Sequence, residues 1–110
     1  MSAARIAALN LRLQSIRREL HAALTERKRL LGAAELLIKL AAEQESATKA
    51  QAINDRATQQ MAKADVYGRS IRALCAQEND VERELNNVEF LVRISSEQMA
   101  AVDETMGESA

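Results

Sequence analysis

One histidine, His21, and one cysteine, Cys75, are the residues of this chain whose types best suit nucleophilic chemistry. A thiolate nucleophile wants a base beside it and a third group to orient that base. The chain offers one candidate of each kind, and Cys75 has the spacing of a small residue flanking a helix contact. Metal chemistry is no better supplied, because zinc sites use three or four Cys, His or carboxylate ligands in a close cluster. Carboxylates recur four residues apart, Glu78 with Glu82 and Asp80 with Glu84. On a straight helix that spacing makes a solvated acidic face far more readily than a cation site. The Glu-x-x-His pairs of carboxylate-bridged metal bundles are missing. The glycines at 32, 68 and 107 are isolated, so no loop can cradle a phosphate. The expectation is a protein that is not an enzyme, with no catalytic residue, metal or cofactor.

The basic residues raise a binding alternative. Arg17, Arg18, Arg27, Lys28 and Arg29 lie in the first third of the chain and could contact phosphates. Leucines occupy the same turns, and Glu19 and Glu26 interrupt the cluster. The sequence pI of about 5.9 lacks the basic footprint of a nucleic-acid binder. A nucleic-acid-associated helical dimer is therefore the second reading. A membrane partner is not expected: the longest apolar run, Leu30 to Ala42, contains Glu35 and Lys39 and is shorter than the roughly 20 residues of a span. One cysteine fits a reducing compartment, and the first residues lack a continuous apolar signal core, so a cytoplasmic, intracellular location is expected.

Such a chain must position its residues on helices. It has no proline, 2% aromatic residues and many Ala, Leu, Glu, Arg and Gln, a composition that favours long uninterrupted helix. From Ile6, a 3-4 alternation selects Leu9, Leu13, Ile16, Leu20, Ala23, Arg27, Leu30, Ala34, Leu37 and Ala41. Apolar residues at that spacing form a heptad a/d seam facing a partner helix. A second seam runs from Ala57 through Gln60, Ala64, Tyr67, Ile71, Leu74, Glu78, Val81, Leu85, Val88, Val92, Ser95, Met99 and Val102 to Met106. The seams are out of phase, which places a turn between them. Asn54 with Asp55, or else Ser46, could end one helix and cap the next.

The fold expected is all-α: a long antiparallel helical hairpin, paired as a coiled coil, in a single domain over residues 1–110. Its helices cover about 3–48 and 55–106, with a turn region at 44–56. Charge supports the pairing, since residues 1–29 carry seven basic against two acidic side chains, and residues 78–89 five acidic against one basic. A three-helix bundle, cut at Gly32 and Gly68, is the alternative.

The stretch RLLGAAELLIKL, residues 29–40, is apolar on more sides than one partner helix can cover. Leu24, Leu31 and Ile38 fall at e, Leu40 at g and Leu36 at c, widening the stripe beyond a/d. With Leu30 and Leu37 they form the expected partner-binding set, and Phe90, Leu91 and Ile94 a second one. Phe90 is the expected aromatic anchor, at about the height of Leu11 if the turn lies near residue 50. Arg27 and Glu78, polar residues at a positions, are expected to meet and fix register. The function expected is that of an assembly, adaptor or chaperone subunit, a scaffold-like coiled coil that acts by protein binding, through self-association or within a larger assembly.

Overall fold

The computed structural model describes the backbone of residues 2–109 and the side chains of residues 3–101. It is 96% helical. Two helices are present, α1 over Ser2–Ala42 and α2 over Ala47–Ser109. Gly32 and Gly68 lie inside them, so two helices replace the three of the alternative reading. Val102, Met106 and the acidic residues Asp103, Glu104 and Glu108, which continue the second seam and the acidic bias, fall outside the described side chains.

The turn is earlier and shorter than the 44–56 region expected. It occupies residues 43–46, and both Asn54 and Asp55 sit within α2. Ser46 is the cap that is used: its Oγ accepts from the Lys49 N–H at 3.3 Å, and its carbonyl accepts from the Ala50 N–H at 2.9 Å. That leaves one fewer orphan donor in the first turn of α2. At the other end the N–H groups of Glu43 and Gln44 bond three residues back, to Leu40 and Ala41, each at 3.2 Å. The Gln44 side-chain amide also donates to the Leu40 carbonyl. Lys39 places a cation in the last turn, where the helix dipole favours it. No described residue of the turn has a positive φ.

Contacts divide the chain into two compact units, Arg17–Ala76 and the combination of Met1–Ile16 with Gln77–Ala110. The 17–76 unit is a helical hairpin around the turn. Among its described residues the buried apolar side chains are Ala23, Leu30, Ala34 and Ala41 from α1, with Ala57 and Ala64 from α2. Five alanines against one leucine make this a thin contact, since interaxial distance follows the size of the side chains between the helices. Ala50 and Ile53 are half-buried and extend the second seam back toward Ser46 at the same 3-4 spacing. In the other unit, Leu9, Leu13 and Ile16 are buried on α1 and Val81 on α2. There Arg5 and Glu84, both at g, form an exposed ion pair, and they lie equally far along the chain from the ends of the turn.

Gly32 is exposed and interior to α1, and a Cβ placed on it would meet nothing within 4 Å. Alanine there keeps the helix and removes glycine's entropic penalty. Gly32→Ala is therefore expected to raise stability by about 0.5–1 kcal/mol, read as a higher urea midpoint in circular dichroism. An unchanged or lower midpoint would mean that this segment is not helical in solution.

Candidate interaction surface

The 17–76 hairpin has two flanks, and the heptad phase assigns residues to each. Glu26, Arg29 and Leu30 of α1 line one open groove with Gln60, Lys63, Val66 and Tyr67 of α2. Glu26 and Lys63 both occupy g positions, so g faces g on this side. The e positions share the opposite flank, where Arg27 reaches across with its Nε 3.6 Å from the place a Gly68 Cβ would take.

On the e flank Leu24, Leu31 and Ile38 remain 48%, 37% and 47% exposed. They are separated by seven residues each, which keeps them on one strip of α1. Met61, at e on α2, is exposed on the same flank. Met61 lies outside the expected set, because the apolar surplus in the sequence is concentrated on residues 29–40 and a lone methionine at e does not widen a stripe. Leu36 and Leu40 are also exposed, but at c and g they face away from this strip and do not join it.

Two residues of the expected docking set belong elsewhere. Leu30 is 3% exposed, because a d position points into the hairpin and not out of it. Leu37, also at d, is half-buried for the same reason. In the unit containing residues 77–110, Phe90 and Leu91 are exposed and Ile94 half-buried. One face of the Phe90 ring is occupied by the Arg93 guanidinium, 5.6 Å from its centroid. The turn at 43–46 puts Leu11 roughly 18 Å along the axis from the height of Phe90, at 1.5 Å per residue. They are not level as expected.

Arg27 stands over Gly68 within the 17–76 unit, and Glu78 is half-buried within the unit containing residues 77–110. The turn position separates His21, exposed, from the height of Cys75, half-buried, by roughly 10 Å along the 17–76 hairpin. Among the described residues no group of three or more His, Cys, Asp or Glu could hold a metal ion. No helix of the described residues is long and apolar enough to cross a membrane.

The five cations of the nucleic-acid reading do not share a face. At 100° per residue, Arg17 and Lys28 lie on one side of α1 and Arg18 and Arg29 on another, with Arg27 over the hairpin. Arg29 is also engaged: its Nε donates to Glu26 Oε2 at 3.0 Å. That hydrogen bond, with the charge of Arg29 behind it, holds the Glu26 carboxyl below the usual carboxylate range, and the Arg29 guanidinium is raised in return. A depressed folded-state pKa stabilises above the ordinary carboxylate range and is lost as pH falls through the folded value. Arg29→Gln should therefore bring the Glu26 carboxyl, followed by carbon NMR during acid titration, back up to the range of an ordinary glutamate. A titration unchanged by the substitution would remove the pair as its cause.

No family model, no curated protein and no solved structure matches the chain.

Proposed function

We propose that this chain is a non-enzymatic coiled-coil subunit that docks its exposed apolar strip on a helix of another protein molecule, in assembly, adaptor or chaperone work inside the cell. The observation that carries this reading is the strip Leu24, Leu31 and Ile38 with Met61 beside it, left open on the e flank of the 17–76 hairpin. Each of these side chains is roughly half exposed, so covering one contributes on the order of 1 kcal/mol. Exposed ion pairs such as Arg5 with Glu84 contribute about 0–1 kcal/mol. Apolar contact therefore sets strength, and charge sets orientation. Phe90 and Leu91 form a second, smaller contact in the other unit.

The test is absolute mass by light scattering across a dilution series, with fluorescence of an apolar dye on the same samples. The unaltered chain is expected to assemble or to bind dye. The double variant Leu31→Glu with Ile38→Glu, both at exposed positions, is expected to do neither while keeping its helix content. A chain that is monomeric and silent toward the dye would overturn the reading.

A further inference from the structure

We infer that the occupant of the e flank is a second copy of this chain, laid antiparallel along α1 with a two-fold axis between Leu31 and Glu35. The inference rests on the docking reading above and adds the partner to it. Between Leu24 and Ala42 the strip obeys its own strict 4-3 alternation: Leu24, Lys28, Leu31, Glu35, Ile38, Ala42. This is a second seam on α1, rotated away from the one that packs on α2. Its positions split into an apolar column, Leu24, Leu31 and Ile38, and a charged column holding Lys28 and Glu35 with opposite signs.

A two-fold axis reverses the order along one helix, and this arrangement is complementary to itself only under that reversal. Leu31 then interleaves between Leu31 and Ile38 of the second copy. Lys28 comes beside Glu35 of the second copy, and the same pair recurs on the other side of the axis. A parallel pairing would instead set Lys28 beside Lys28 and Glu35 beside Glu35, and like charges in register are repelled. Glu35 already approaches Lys39 at 3.4 Å within α1, but both side chains are about 70% exposed and the pair adds little. Gly32, exposed and with open space where a Cβ would lie, sits next to the proposed axis and offers no steric obstacle to close approach.

The experiment uses the full chain with Cys75→Ser, so that one introduced thiol is present at a time. Gly32→Cys places that thiol near the axis, and His21→Cys places it roughly 35 Å from its mate at 1.5 Å per residue. With a short bifunctional maleimide, the Gly32→Cys chain is expected to link into covalent dimers and the His21→Cys chain to stay single. Linking by both would mean a parallel pair, and linking by neither would mean that another face or no second copy is used; each overturns the inference. The charge column supplies an independent readout. Lys28→Glu should raise the dissociation constant measured by sedimentation about tenfold, and adding Glu35→Lys should recover most of it. If the inference fails while the monomer still binds apolar dye through Leu31 and Ile38, the strip is open to a different protein and the docking reading stands. If dye binding is absent as well, both fall.

Discussion

Leu30→Ala is expected to lower the stability of the folded chain by about 3 kcal/mol, the middle of the range for removing a buried leucine. Leu30 is 3% exposed, and among the described residues of the 17–76 unit it is the one buried side chain larger than alanine. Leu30 is thus the most completely buried large side chain of that contact, flanked by the half-buried seam residues Leu20, Leu37, Ile53, Ile71 and Leu74. The buried alanines Ala23, Ala34, Ala57 and Ala64 have no side-chain freedom with which to fill the space. The groove beside Leu30, lined by Gln60 and Tyr67, lets water reach the edge of the gap and keeps the cost from the top of the range. Urea unfolding followed by circular dichroism should show a lower midpoint at unchanged slope. Leu36→Ala is the control, at a position 68% exposed, and should stay within about 0.5 kcal/mol. Equal losses for the two would mean that Leu30 does not face α2.

The second large effect runs against the usual intuition that more apolar surface is better. Ala64→Leu adds three carbons at a position 1% exposed, where the helices have closed around a methyl group. The added side chain must push α1 and α2 apart or leave its preferred rotamer, and overpacking of this kind costs about 1–3 kcal/mol. For a chain of this size the melting temperature should fall by roughly 10 °C. Ala62→Leu, two residues away and exposed, should leave it nearly unchanged. A rise in melting temperature for Ala64→Leu would mean that the alanine contact is loose and that the hairpin gains by opening.

The seams were readable in the sequence because the 3-4 spacing of Leu9, Leu13, Ile16, Ala23, Leu30 and Ala34 is a property of residue types alone, and each is buried. The turn was not, because neither glycine nor proline marks it and three residues able to cap, Ser46, Asn54 and Asp55, compete within ten positions. The signal that decides it is the second seam itself: Ile53 and Ala50 carry it back past Asp55, which leaves no room for a break there. A turn at 43–46 in place of one near residue 50 shifts the cross-helix heights, which is why Leu11 and Phe90 are not level. Exposure within the expected docking set was half legible. Leu24, Leu31 and Ile38 could be assigned to a flank by phase, whereas Leu30 and Leu37 carried the seam spacing and should have been kept out of it on that ground. Whether an e position is covered depends on how many helices are present, and periodicity within one chain does not count them.

The turn at residues 43–46 has one further consequence. Its backbone needs no left-handed residue, and its bonds to the helices run through Leu40, Ala41 and Ser46 instead of through Glu45. Lengthening a connection of this kind costs only the slow logarithmic entropy of loop closure, about 0.6 kcal/mol for each doubling. An epitope, a fluorophore-binding peptide or a short linker spliced in after Glu45 would ride on the hairpin without entering either helix. The bend that gave the sequence its least readable stretch is thereby the place where the chain can carry cargo.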